Sequence, residues 1–152
     1  MEPLDLRARL PEILSRAIAW AGSTAAAGAS QGAVLTGPGI SLAQKVGVKR
    51  PELIRVVAVD KIPQPEDPLL LEAAAQVGFL NGTGLTLGYT VFLCRNDRRL
   101  TLLAHECRHV AQYEAHGSIA AFLEVYLDQL SSVGYDNAPL EIDAVAHEKH
   151  AA

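Results

Sequence analysis

The stretch Leu102 to Gly117, LLAHECRHVAQYEAHG, sets two histidines four positions apart with a glutamate directly after the first. No breaker interrupts Arg99 to His116 and Gly117 supplies a stop, so the stretch reads as one helix. At 3.6 residues per turn His105 and His109 share a face about 6 Å apart along the axis, and their ring nitrogens can meet on one Zn²⁺ at ~2.0 to 2.1 Å. Glu106 lies beside that face. It can reach a water on such an ion without being a ligand, which is the position of a general base. Leu102, Leu103 and Val110 are left to bury the remainder of the helix.

Two imidazoles are too few for a zinc site, so a third ligand has to come from elsewhere in the chain. His116 is the nearest candidate, but it lies roughly 10 Å of helical rise beyond His109 and the helix ends only after it. The longer HExxHxxGxxH pattern of metzincins is therefore not met: Gln112 stands where its glycine falls and Ala115 where its third histidine falls. His116 suits a helix C-terminus, where the dipole favours a cation. Cys107 points about 200° away from His105 and belongs to the core. Arg108 and Glu114 are expected on a solvated face, and His147 and His150 in solvent near a fraying end.

The segment APLEIDA, Ala138 to Ala144, resembles the gluzincin branch of the zincin metallopeptidases, in which the HExxH helix is followed by another helix carrying a glutamate and, three positions on, an alanine. Glu141 matches that glutamate and Ala144 the alanine, while Val145 replaces the acidic residue that follows. The resemblance covers roughly the last third of the chain and the strand before the motif, and is closer to small bacterial zinc-dependent peptidases than to secreted, multi-domain ones. It implies one Zn²⁺ per chain held by His105, His109 and Glu141, with Glu106 as base in the hydrolysis of a peptide or protein substrate. Since Val145 cannot orient a ligand histidine, Asp143, Glu148, Asp128 or a backbone carbonyl has to do so. Tyr135 sits on the turn that delivers Glu141; it either aims its hydroxyl at an oxyanion or packs the turn, and Tyr113 has a similar claim. Two rival readings are a catalytically silent zinc-binding or protein-interaction module, and a metal hydrolase acting on a non-peptide amide or ester. Closed structural zinc sites use four protein ligands, which favours catalysis over the first rival.

Composition agrees with one soluble domain over residues 1–152. Of these residues 49% are hydrophobic and 20% charged, which is ordinary globular composition, and no apolar run is long enough to span a bilayer. The net charge of −4 and scattered cations argue against nucleic acid as a partner. Cys94 and Cys107 are too few for a disulfide framework, so they are expected as free thiols. The stretch Ser15 to Ser30 has some likeness to a secretory h-region, but flanking acids and Gly22 suit a folded helix better; a cytoplasmic chain is expected, with export left open.

Periodicity predicts a helix over Leu4 to Ala21, an undecided Gly22 to Gly39 and a short helical turn at Ser41 to Val46. A strand follows at Leu53 to Pro63, then a helix from Pro68 to Val77 capped by Asp67, and a single strand from Gly84 to Cys94. After the motif helix come a helix capped by Ser118 and a last one with Pro139 in its first turn. The expected fold is α+β, a minimal zincin-like domain with a small β-sheet beside the HExxH helix. Gly88, inside the second strand, either lets an extended peptide approach and pair there or is a minor packing accommodation in an internal strand.

Overall fold

The structure is a computed structural model and describes residues 2–151. It is a mixed α+β fold: among the described residues there are six α-helices and one three-stranded sheet. The first helix, α1 (Leu6–Ala29), starts on Asp5, whose carboxylate accepts from the Ala8 amide at 3.1 Å. It continues eight residues past the predicted end at Ala21. Within the stretch that was ambiguous, Gly22 to Gly39, Gly28 serves close packing: a Cβ there would stand 2.6 Å from the Phe92 ring. The rest of that stretch forms a bridge from Ala33 to Val56 and the start of α2 (Gly37–Lys45), a longer helix than the turn expected at Ser41 to Val46.

Strand β1 (Arg55–Val59) is shorter than predicted at both ends: Pro51–Leu53 forms a 3₁₀ turn before it, and the chain leaves the sheet after Val59. Helix α3 (Pro68–Val77) has the predicted bounds, with Asp67 accepting from the Leu69 amide at 2.9 Å and Gly78 left-handed at φ 84°. The stretch Gly84 to Cys94 is corrected from one strand to two, β2 (Gly84–Leu87) and β3 (Thr90–Cys94). The even alternation of Leu85, Leu87, Tyr89, Val91 and Leu93 concealed the turn, which rests on Gly88 at φ 67°. Strand order is β1-β3-β2, with β1 parallel and β2 antiparallel to β3.

Alternation along β3 gives the sheet two buried faces. Phe92 joins Ala21, Phe122 and Tyr126 in a core shared with α1 and with α5 (Ile119–Val133), whereas Val91 joins Val46, Ile54, Cys107 and Val110 beneath α2 and α4 (Leu100–His116). Helix α5 begins on Ser118, whose hydroxyl accepts from the Ala121 amide at 3.0 Å. Helix α6 (Pro139–Ala146) and a 3₁₀ turn at Glu148–Ala151 then pack back onto α4. No helix among the described residues is long and apolar enough to cross a membrane.

Candidate metal centre

Helix α4 is clamped between the sheet and α6, so its polar stripe is buried rather than solvated: His105, Glu106, His109 and Gln112 are each less than a tenth exposed. Glu141, in the first turn of α6, is 3% exposed and faces both histidines. Its Oε1 lies 3.0 Å from His105 Nε2 and its Oε2 lies 3.1 Å from His109 Nε2. One ligand atom from each of the three residues falls within 4.8 Å of the others. Nitrogen and oxygen ligands about 2.0 to 2.2 Å from one tetrahedral ion stand roughly 3.3 to 3.6 Å apart, so this donor set fits a zinc-sized cation after small rotations.

Both histidines have their other ring nitrogen engaged. His105 Nδ1 donates to Glu148 Oε2 at 3.0 Å, and His109 Nδ1 donates to Gln112 Oε1 at 2.7 Å, which leaves each Nε2 facing the Glu141 carboxylate. The Gln112 amide is fixed in its turn by donating to Leu140 O and to Asp143 Oδ2, both at 2.9 Å. Asp143 is held by Arg108 at 2.7 Å, and Arg108 also donates to Val46 O at 2.8 Å. Arg108 is thus a tie between α4 and α6, not part of a solvated face. Glu114 is likewise structural, accepting from the Lys49 and Arg50 amides and the Tyr89 hydroxyl. His147 is half-buried with Nδ1 donating to Asp143 O at 2.7 Å, and the end expected to fray instead carries Glu148 to His105.

Electrostatics follow from this crowding of three carboxylates around two imidazoles. Burial alone would depress the His105 imidazolium, but Glu141, Glu106 and Glu148 outweigh it and lift the group to about 9. His109 also moves upward, because the Glu141 carboxylate outweighs burial. Glu141 moves the opposite way: burial would raise it, yet hydrogen bonds from the two imidazoles hold it well below the usual carboxylate range. For Glu106 burial dominates and the neighbouring imidazoles compensate only in part, so its carboxyl is raised. A carboxylate with a raised pKa takes up a proton more readily near neutral pH.

Glu106 is seated by β2. Thr86 donates its hydroxyl to Glu106 Oε1 at 2.9 Å, and a Cβ on Gly84 would lie 2.8 Å from Glu106 Oε2. Gly84, rather than Gly88, is therefore the position where a missing side chain makes room. At Gly88 a Cβ would meet Ile119 at 3.4 Å within the hairpin turn. Gly84→Ala is expected to push the Glu106 carboxylate aside while leaving folding and zinc content unchanged. Any hydrolysis should fall on the order of 10²-fold, the usual consequence of a displacement of about 1 Å at a reacting group. Retention of full activity would show that Glu106 need not sit against β2.

Three tyrosines border the same space. Tyr126 donates to Glu141 Oε2 at 2.6 Å, and burial with the adjacent carboxylate raises its phenol well above the ordinary value. Tyr135 lines the cavity beside Glu141 and Glu106, its phenol raised by burial and then by those charges. Tyr113 donates to Thr86 O at 3.1 Å, so it braces β2. That bond also occupies an outward-facing acceptor of the edge strand. β3 is paired on both sides, which confines peptide pairing of the kind expected at Gly88 to β2. His116 is turned back onto Gln112 O at 2.8 Å, away from the three-residue group.

The structure places His105, His109 and Glu141 together and lines one cavity with Glu106, His109, Glu141 and Tyr135, whereas the sequence did not single out Thr86, Gly84, Gln112 or Tyr126 as site residues. Tyr126 is spaced four residues from Phe122 and reads as core; its hydroxyl is invisible to a hydrophobic pattern. Comparison of the chain with protein-family models, curated proteins and solved structures returns no significant match.

Proposed function

We propose that the protein is a zinc-dependent hydrolase of the gluzincin kind that cleaves amide bonds in peptide-like substrates. The observation that carries this reading is the convergence of two imidazole Nε2 atoms on a buried carboxylate, with a second buried carboxylate, Glu106, beside them and bonded to neither. When bound by His105, His109 and Glu141, a zinc ion supplies a Lewis acid that polarises a carbonyl and acidifies a water. Glu106 takes the proton of the attacking water on its carboxylate and returns it to the departing amine nitrogen. Thr86 fixes the orientation of that carboxylate, Tyr126 holds Glu141, and Gln112 and Glu148 hold the ligand tautomers. Tyr135, protonated throughout the working range, is a hydroxyl donor at the rim.

Zinc titration by calorimetry tests the reading. One ion per chain is expected, with release of at least one proton, because His105 is protonated at pH 7 in the metal-free protein and has to expose its Nε2 lone pair. Apparent affinity then rises by about tenfold per pH unit for each proton released, and the rise owed to His105 levels off near its value of about 9. Metal-free stability runs the other way. A raised histidine pKa contributes stability below about 6.5 that is lost as pH climbs through about 9. The depressed Glu141 contributes above its ordinary range near 4.5, and that part is lost on acidification. Absence of zinc binding, or an affinity flat between pH 6 and 9, would refute the ligand set. Zinc-loaded protein is expected to cleave members of a mixed peptide library, and chelation to stop it.

A further inference from the structure

Glu106, His109 and Glu141 are 4%, 6% and 3% exposed, so a scissile amide cannot come within hydrogen-bond reach of Glu106 while this packing holds. The three residues line a cavity of about 120 Å³ that also touches α3 at Ala73 and Val77, α5 at Leu130 and Ser131, and α1 at Leu6 and Leu10. Residues 2–10 bridge α3 and α5. Leu4 exchanges two hydrogen bonds with Gln76 on α3: its amide donates to Oε1 at 2.8 Å, and its carbonyl accepts from Nε2 at 2.9 Å. On the other side Arg7 donates to Asp128 Oδ1 at 2.6 Å and to the Ser131 hydroxyl at 3.0 Å, and Ser131 is itself part of the cavity wall.

What holds this bridge is weak. No residue from Glu2 to Glu12 is buried, and the Arg7 and Asp128 side chains are each 56% exposed, so their pairing adds little and is screened by salt. Ile13 is the first buried residue of α1; it packs with Leu69, Leu70 and Ala73 and fixes the helix from there onward. Between the two regimes stands Pro11, inside the helix. It has no N–H, so the Arg7 carbonyl loses its intrahelical donor, and its ring crowds that carbonyl. Few buried contacts, exposed hydrogen bonds and a missing rung define a segment that opens locally, ahead of the rest of the fold. We infer that residues 2–10 are a lid hinged at Pro11, which lifts from α3 and α5 to admit substrate to the cavity and to Glu106. The inference rests on the hydrolase reading for what enters, but the motion itself needs no metal. Closed, the lid keeps bulk water from the buried carboxylates and imidazoles.

Thiol labelling of metal-free Ala73→Cys protein by methyl methanethiosulfonate, a small neutral reagent, reads the opening without turnover. Ala73 is 8% exposed and lines the cavity, while Cys107, wholly buried in the opposite core, reports global unfolding in the same sample. Position 73 is expected to label about a hundredfold or more faster than Cys107, because the lid opens without the fold. Adding Arg7→Ala should speed it a further two- to fivefold or so, the range for an exposed ion pair. Adding Pro11→Ala should slow it roughly tenfold or more, since the missing rung and the helix preference are restored. Raising sodium chloride from about 0.05 to 0.5 M should speed labelling in the parent but not beside Arg7→Ala. Ala74→Cys, the next cavity residue on α3, serves if Ala73→Cys fails to fold. Labelling at position 73 no faster than at Cys107, or unmoved by both substitutions, overturns the inference. In zinc-loaded protein without the added thiol, kcat/KM for library peptides should rank Arg7→Ala above the parent and the parent above Pro11→Ala; equal values in all three would also overturn it. Labelling that follows this order in proteins that never hydrolyse a peptide would instead refute the hydrolase reading and leave the lid, so the two failures are distinguishable.

Discussion

Glu141→Ala is expected to lower zinc affinity by well over a hundredfold, more than the roughly 10- to 100-fold that follows loss of an outer-shell partner. Glu141 contacts both imidazoles and the Tyr126 hydroxyl, so the substitution removes one ligand and releases the other two from their common orientation. Metal-free stability should fall as well, by on the order of 3 to 5 kcal/mol, because two buried imidazoles lose the carboxylate that balances them. Asp143→Ala provides the comparison. Asp143 acts through Gln112 and Arg108, so its loss should weaken zinc binding only as an outer partner does. If zinc binding survives Glu141→Ala unchanged and is lost in Asp143→Ala, the ligand assignment is wrong.

Glu106→Gln separates enzyme from scaffold. The amide keeps an oxygen to accept from Thr86 and keeps the volume against Gly84, so the variant should fold and bind zinc as the parent does. Burial raises the Glu106 carboxyl, which means that its charged form is disfavoured in the folded state. Neutralising it should therefore leave thermal stability equal or slightly higher above pH 5. Hydrolysis should drop by about 10² to 10⁴, the contribution of a positioned general base. Equal cleavage by parent and variant would trace the activity to a contaminating protease, and a parent without activity would leave the zinc-binding module.

The parts of the site that were legible in the sequence are those in which chemistry and periodicity coincide. His105 and His109 share a helical face by arithmetic, and Glu141 stands in a recognisable setting after Pro139. Helix ends with a cap or a left-handed glycine were equally plain, as at Asp67, Gly78, Ser118 and Gly117. What patterning could not supply was tertiary. Gln112 and Glu148 became partners of His109 and His105 because α6 and the turn after it fold back onto α4, a relation that no local spacing encodes. The hairpin at Gly88 was hidden because its turn residues, Gly88 and Tyr89, preserve the alternation on either side. Gly28 was ambiguous for the opposite reason: its lack of a side chain serves the Phe92 ring across the layer and not the local backbone.

The two histidines and the glutamate reach one point from opposite ends of α5, a whole helix lying between His109 and Glu141 in the chain. An ion seated among them would fasten α6 to α4 as a bolt fastens a hatch, with the Arg108 to Asp143 pair as its hinge-side catch. Departure of the ion and lifting of the eight-residue α6 would then be one event. The residence time of the metal would report how often that short helix opens, and exchange of its amide hydrogens would slow by the same factor when the ion is present.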